Sequence, residues 1–401
     1  MIQDFAHIEA ALHEAAAIVD VRSPGEFAKG AVAGAVNIPL FSNGERAEIG
    51  TLYKHRGREA AIQTGLRHVG GRLPAFVETF APFRERRLLV YCARGGMRSQ
   101  SVVSLLASLG FDATQLPGGY KAFRNYLLAA LTRRTPPRPL ILHGCTGVGK
   151  TELLRRLPNA LDLEGIAQHR SSLFGAVNLH PRTQQQFDAH LLSALDALDF
   201  AQPVWIEGES RKVGDVVIPE GLREAIRTGP AVLVTASVQT RARRIIAEYG
   251  ADDPATLVQL EGALASLRPH YGARRTEHLL EMFRAGDLEQ VVTTLLVDYY
   301  DPRYLHAMRD YGYALQVSSE NLDEAVAVLL DFGRAHGAAA SADRPAGNGA
   351  IFAAGAGACH TPASSSRGRS CPSAPADEEQ ARPQDRAPGA KKSLRGGMGR
   401  P

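Results

Sequence analysis

The sequence predicts an α/β protein in which two consecutive parallel-sheet domains are followed by a disordered C-terminal tail. Three observations carry this. Short apolar runs suited to buried strands alternate with helix-period segments over residues 1–334. Two of these runs end in glycine-bearing loops that lead straight into a helical pattern. Between the two loops lies Thr132-Arg-Arg-Thr-Pro-Pro-Arg-Pro139, a proline-rich stretch that cannot continue the helix before it. The expected division is 1–131 as first domain, 132–139 as linker, 140–334 as second domain and 335–401 as tail.

In the first domain Ala17–Val21 and Leu88–Tyr91 read as buried strands, and Arg98–Leu109 and Tyr120–Leu131 as amphipathic helices. In the second, strands are expected at Leu140–His143, Ala160–Leu163, Val204–Glu207, Ala231–Thr235 and Ala314–Val317, with helical patterns between them. The tail is rich in Ala, Gly, Ser, Pro and Arg. Its large apolar residues are Ile351, Phe352, Leu394 and Met398, too few to offset the entropy of ordering.

The composition, 44% hydrophobic and 22% charged over 401 residues, is that of a globular protein. The net charge of +4 belongs to the tail, which holds nine of the 46 Lys/Arg and five of the 42 Asp/Glu and so leaves 37 of each in residues 1–334. A body coated in positive charge is excluded, and any nucleic-acid contact there must be a local patch. Apolar runs fall far short of the roughly 20 residues of a membrane span. The N-terminus carries Asp4, Glu9 and Glu14 with no basic lead, unlike a secretory signal. Cys92, Cys145, Cys359 and Cys371 lack CxxC or metal-ligand spacing, so neither a disulfide framework nor a zinc site is expected, and the expected compartment is the cytoplasm.

The first chemical signal is Leu88-Leu-Val-Tyr-Cys92-Ala-Arg-Gly-Gly-Met-Arg98-Ser99. A strand delivers Cys92 to its carboxyl end, Gly95 and Gly96 let the chain wrap, and a helix starts near Arg98. Backbone N–H groups and the helix N-terminus then point at the sulfur, where Arg94 and Arg98 would favour a thiolate and hold an oxyanion. Ser99 would add a hydroxyl or cap the helix. Together with Asp20-Val-Arg-Ser-Pro-Gly-Glu-Phe27, Gly30-Ala-Val-Ala-Gly-Ala-Val-Asn-Ile-Pro39 and Leu116-Pro-Gly-Gly-Tyr120, this stretch resembles the rhodanese family. The resemblance implies a rhodanese-like domain whose Cys92 carries sulfur or selenium. The Cys-x5-Arg spacing is also that of phosphatase-like relatives, so a phosphatase stays open as an alternative.

The second signal is Leu140-Ile-Leu-His-Gly144-Cys-Thr-Gly147-Val-Gly149-Lys150-Thr151, a G-x4-G-K-[ST] loop between a strand and a helix. It would hold phosphate oxygens on backbone N–H groups and on Lys150, with Thr151 positioned for Mg²⁺; this makes the second domain P-loop NTPase-like. Cys145 reads as a tolerated small residue. Val204-Trp-Ile-Glu207-Gly-Glu209-Ser-Arg211 ends a strand in two carboxylates and an arginine, and period-two alternation would put Glu207, Glu209 and Arg211 on one rim if the strand persists. Asp162, Glu164, His169 and Arg170 follow another strand and are further candidates.

Taken together, Cys92-x-Arg-Gly-Gly-Met-Arg-Ser99, Pro117-Gly-Gly-Tyr-Lys-Ala-Phe-Arg124, Gly144–Thr151, Leu161-Asp-Leu-Glu-Gly165 and Ile206-Glu-Gly-Glu-Ser-Arg211 resemble the tRNA 2-selenouridine synthase family over roughly residues 5–334. Ala93 departs from the tryptophan expected there. The resemblance implies a monomeric transferase that replaces sulfur by selenium in wobble 2-thiouridine. Geranyl diphosphate and selenophosphate would be co-substrates, tRNA (through its anticodon arm) a partner, and selenophosphate synthetase a further one. Arg84/Arg86/Arg87, Arg133/Arg134/Arg138, Arg241/Arg243/Arg244 and Arg274/Arg275 are the candidate patches for the RNA. The competing readings are a rhodanese sulfurtransferase fused to an ATP-dependent kinase or ATPase, and a regulatory module whose two loops only bind anions.

Overall fold

A computed structural model describes residues 5–250, 253–308 and 311–338; the tail expected to be disordered lies almost wholly outside these residues. The strands are β1 (Ala17–Asp20), β2 (Val36–Asn37), β3 (Leu88–Tyr91), β4 (Ala113–Gln115), β5 (Pro139–His143), β6 (Ala160–Leu161), β7 (Val204–Glu207), β8 (Lys212–Val213), β9 (Val216–Val217), β10 (Ala231–Thr235) and β11 (Tyr313–Ser318). They form a parallel sheet in the order β2-β1-β3-β4, a parallel sheet in the order β11-β10-β5-β7-β6, and the antiparallel hairpin β8-β9.

Both sheets put their loops at the carboxyl ends of buried strands, where parallel sheets keep their ligand crevices. All four residues of β3 and all five of β5 are buried, as continuous apolar runs predict for interior parallel strands. Pairing Asp20 with Tyr91 aligns the end of β1 with the start of the cysteine loop. Pairing Leu142 with Glu207 aligns the end of β7 with the start of the phosphate loop. The chain runs from β5 out to β6, back to β7, and then across to β10 on the other side of β5, so the crevice opens at the end of β5.

Helix Gly119–Arg133 ends the first domain and reaches two residues into the proline-rich stretch. It packs on helix Gln184–Ala197 of the second. Leu116, Tyr120, Phe123 and Leu127 join Phe187, Leu191, Ile206 and Leu222 in one buried cluster, so the two domains share a core. Polar contacts edge this seam: Thr183 Oγ1 donates to Lys29 O at 2.6 Å, Gln186 Nε2 to Ala28 O at 2.9 Å, and Arg124 pairs with Asp188. A helical lobe covering Pro254–Met308 packs on helix Val238–Tyr249, and helix Leu322–Ala338 packs on β11, extending past Arg334. No helix among the described residues is long and apolar enough to cross a membrane.

Candidate active site

Cys92 follows β3 and is 3% exposed. The helix after it starts at Met97 with Gly96 at its cap. Ser99, on the first turn, is fully buried; its Oγ donates to Cys92 Sγ at 3.1 Å and accepts from Gln115 Nε2 at 2.7 Å. With Gln115 as donor, the Ser99 proton is free to turn to the sulfur. Burial alone would push the Cys92 thiol up, but the Ser99 hydroxyl and the backbone N–H groups of Ser99, Arg94 and Gly96 outweigh it and hold the thiol below its ordinary value. The loop amides therefore act on the sulfur as the spacing predicts.

The arginines divide. Arg94 is exposed at the loop. Arg98 makes a two-pronged bond to Glu26, at 2.7 and 3.2 Å. Burial raises the Glu26 carboxyl, and the Arg98 guanidinium outweighs this, bringing it to about 2. The acid of the first motif thus holds the arginine of the cysteine loop, a link of 72 residues that spacing along the chain does not reveal. Asp20 and Arg22 form a buried pair at 2.6 Å, and the Arg22 guanidinium lies 3.9 Å from the Tyr120 ring centre and donates to Gly30 O. Tyr120 and Lys121 N–H groups then hold the carbonyls of Cys92 and Ala93, at 2.9 and 3.0 Å. All four short motifs of the first domain meet around one loop.

In the second domain Gly144, Gly147 and Gly149 shape the phosphate loop, and helix Lys150–Arg156 begins at once. Lys150 Nζ donates to Gly144 O at 2.9 Å, which keeps its charge over the loop. The loop is braced from outside: Arg241 Nε donates to Thr146 O at 2.8 Å and Arg244 Nη1 to Val148 O at 3.0 Å. Arg241 is 4% exposed and also pairs with Asp301 at 2.6 Å. Gly147 has a φ of 81°, in the left-handed region that strains side chains, and a β-carbon there would lie 3.1 Å from Arg241 O of the bracing helix Val238–Tyr249. Cys145 is half-buried, and burial together with the Asp301 charge raises its thiol.

Glu207 is fully buried at the end of β7. The strand does not persist to Arg211 as alternation required: it stops at Glu207, and Glu209 N–H turns back to Glu207 O at 2.9 Å. That turn brings Glu209 beside Glu207, while Arg211 is carried to the exposed start of the β8-β9 hairpin. The third member is Glu164. The strand expected over Ala160–Leu163 ends at Leu161, because Asp162 caps the helix Leu163–Ala167 by accepting from Gly165 N. Carboxylate oxygens of Glu164, Glu207 and Glu209 lie within 4.8 Å of one another. Glu164 N–H donates to Glu207 Oε1 at 2.7 Å, Glu207 Oε2 is buried without a partner, and Ser171 Oγ donates to Glu209 Oε2 at 2.9 Å. Burial and the neighbouring carboxylates raise Glu164, to about 7, and raise Glu207. Thr151 Oγ1 reaches Glu164 Oε2 at 3.4 Å.

Phosphate loop and carboxylates open into a cavity of about 920 Å³. One wall is polar: Lys150, Thr151, Arg155, Glu164, Glu209 and Arg244. The other comes from Phe174, from Tyr249 at the end of helix Val238–Tyr249, and from the helical lobe: Leu264, Phe283, Val291, Val292, Leu295, Leu296, Tyr300 and Tyr304. A π-turn at Leu296–Tyr300 supplies two of these side chains. This apolar wall carries no contiguous motif, and its only sequence signal is helical periodicity. His169 packs its ring against Gly175 and Gly214, and Arg170 pairs with Glu248 at 2.6 Å.

The candidate RNA patches are largely committed to the fold. Arg84 donates to Leu109 O and lies over Phe111, Arg87 pairs with Glu14, Arg134 with Asp196, Arg138 donates to Ala201 O, Arg243 donates to Thr240, and Arg275 lies over Tyr271. Arg241 and Arg244 serve the phosphate loop.

Residues 6–126 match the rhodanese-like domain family, and residues 137–332 match the tRNA 2-selenouridine synthase AAA domain family. The tRNA 2-selenouridine synthase of Pseudomonas syringae pv. tomato is 36% identical over 323 residues, covering 72% of this chain and 87% of that protein. Those of Salmonella typhi and Cupriavidus necator are 34% and 35% identical, covering 73% and 72% of this chain and 88% and 87% of theirs. With both domains matched in order and both loops formed, the chain belongs to the tRNA 2-selenouridine synthase family.

Proposed function

We propose that this protein replaces sulfur by selenium in the 2-thiouridine of a tRNA wobble position, working in the cytoplasm and dividing the reaction between its two loops. The single observation that carries the reading is the cavity. A phosphate loop faced by an apolar wall suits a diphosphate bearing a hydrocarbon chain, and geranyl diphosphate has that chemistry.

In the first step the base sulfur attacks the allylic carbon of geranyl diphosphate. A C–S bond forms, the C–O bond breaks, and pyrophosphate leaves with the electron pair. Loop amides, Lys150 and Arg244 line the place where that charge develops. Mg²⁺ fits the neighbouring donors: three carboxylates with oxygens within 4.8 Å, one of them with a buried unpartnered oxygen, make a hard oxygen site. Glu164, Glu207 and Glu209 would hold the ion, which would supply positive charge next to the diphosphate.

In the second step selenium from selenophosphate displaces the alkylated sulfur at C2, and geranylthiol leaves. Cys92 carries the selenium, with Arg94 and the amides of Gly95, Gly96, Arg98 and Ser99 around the phosphate. Loading forms the Cys92 S–Se bond and breaks P–Se, with water taking the phosphoryl group as phosphate and a disulfide taking the two electrons; delivery forms C2–Se, and the resulting thiol pair cleaves S–Se, returning the two electrons and regenerating the disulfide. The lowered Cys92 thiol supports this role, since the thiolate is the reacting form.

The test is to incubate the protein with thiolated tRNA, geranyl diphosphate and selenophosphate and to analyse nucleosides by mass spectrometry. Wild type should yield 2-selenouridine, Lys150→Ala should lose S-geranylation, and Cys92→Ser should keep S-geranylation but lose selenation. No 2-selenouridine from wild type would sink the proposal, and selenation surviving in Cys92→Ser would show that selenophosphate reacts directly.

A further inference from the structure

Helix Asn43–Gly70 leaves the body of the first domain in its middle. Tyr53 through Glu59 are all exposed, so this stretch spends no face on the core and burial does not explain its helicity. At Gly57 the backbone turns non-helical, with φ 82° and ψ −176°, which makes an elbow. The elbow displays Tyr53, Lys54, His55, Arg56 and Arg58, against the single carboxylate of Glu59. Lys54, Arg56 and Arg58 have no ion-pair partner among the described residues, in contrast to Arg72 and Arg98 of the same domain. The Tyr53 ring is part of a side chain 60% exposed.

A bare aromatic among unpaired cations is what single-stranded RNA uses: the ring stacks on a splayed base and the cations follow phosphates. The position suits the reaction. Arg46, on the same helix, lies 3.4 Å from Glu26, which holds Arg98 at the cysteine loop. Gly57 is eleven residues beyond Arg46, about 16 Å along a helix rising 1.5 Å per residue. With phosphates about 3.4 Å apart along a strand, that is roughly five nucleotides.

We propose that the elbow Tyr53–Arg58 is an RNA-docking surface, where Tyr53 stacks on an unpaired base and Lys54, Arg56 and Arg58 hold the phosphates around it. The inference rests on tRNA being the substrate, and it replaces the fold-committed arginine clusters as the RNA contact.

The experiment measures binding of a fluorescent RNA hairpin of anticodon-arm sequence to the full chain across a salt series. Three proteins are compared with wild type: Lys54→Ala/Arg56→Ala/Arg58→Ala, Tyr53→Ala, and the control Arg223→Ala/Arg227→Ala, whose arginines pair with Glu220 and Glu224 elsewhere on the surface. The triple variant should bind about tenfold or more weakly, with its salt slope reduced by about 2, since each single-strand phosphate contact contributes about 0.7. Tyr53→Ala should weaken binding about fivefold or more at an unchanged slope. The control should match wild type, and melting temperature and Cys92 alkylation rate should be unchanged in all three. Failure of wild type to bind the hairpin would overturn the substrate reading itself. Wild-type binding with equal affinity and slope in the triple variant would overturn only the elbow, leaving an acidic protein surface as its occupant. An equal loss in the control would overturn it as well, because the effect would then be general charge.

Discussion

Gly119 lies against the carbonyl oxygen of Cys92: a β-carbon on Gly119 would fall 2.3 Å from that oxygen and 2.4 Å from Gly95 N. Its φ of 58° is a second reason for glycine, since side chains are strained in the left-handed region. The Pro117-Gly-Gly-Tyr120 motif therefore serves the cysteine loop by letting a helix N-terminus touch it. Gly119→Ala should cost at least about 2 kcal/mol from the backbone strain and the clash together. It should also slow Cys92 alkylation. Urea denaturation reads the first effect, and an unchanged alkylation rate would show that this contact does not shape the loop.

Ser99→Ala removes the hydroxyl that donates to Cys92 Sγ. Burial then acts on the thiol with less opposition, so its pKa should rise. The pH profile of iodoacetamide alkylation should move to higher pH in Ser99→Ala, while Arg94→Ala should leave it in place. A profile that stays put in Ser99→Ala would mean the backbone amides hold the thiolate by themselves.

Glu26 contributes stability with a defined pH dependence. Its folded pKa of about 2 lies below the ordinary 4.5, because the bond to Arg98 overcomes burial. A depressed carboxyl stabilises the fold fully above pH 4.5 and loses that contribution as pH falls toward 2. Wild type should therefore exceed Glu26→Gln in denaturant midpoint at pH 7, with the gap closing between about pH 4.5 and 2. A gap independent of pH would assign the difference to packing.

Phe187 is fully buried in the core that joins the two domains. Phe187→Ala should destabilise the protein by about 3–5 kcal/mol, the usual cost of deleting a buried ring. Because the core is shared, the transition should stay single, with signals from both domains moving together. Two separated calorimetric transitions in wild type would contradict a common core.

Val292 is half-buried on the apolar wall of the cavity. Val292→Phe should fill space needed by a hydrocarbon chain without overpacking a closed core. Geranyl diphosphate should bind at least tenfold more weakly while inorganic pyrophosphate binds as before, as read by calorimetry. Lys150→Ala should weaken both ligands. Equal loss of both in Val292→Phe would mean that the wall supports the phosphate loop and does not face the chain.

The two reactive loops were legible because each is contiguous. Strand, glycine turn and helix start follow one another within twelve residues, and backbone geometry needs nothing distant to turn N–H groups inward at Cys92 or at Gly144–Thr151. The same contiguity made the order of domains readable. The carboxylate site shows the boundary. Glu207 was visible at a strand end, but the alternation that pointed on to Arg211 failed when the strand stopped, and Glu164 entered from another strand's loop through a bond from its own N–H. The arginine clusters show a related boundary: the sequence counts charges, and only packing decides which of them find partners within the fold. Arg241 and Arg244 became braces on the phosphate loop, whereas Lys54, Arg56 and Arg58 kept their charge at an elbow. By itself the sequence determined the two loops and the order of their domains, since each loop is built from neighbours along the chain. Only the tertiary structure decided the Glu26–Arg98 pair, the carboxylate trio, the apolar wall and the shared core, since each is a meeting of segments tens of residues apart whose partners are selected by burial and charge in three dimensions.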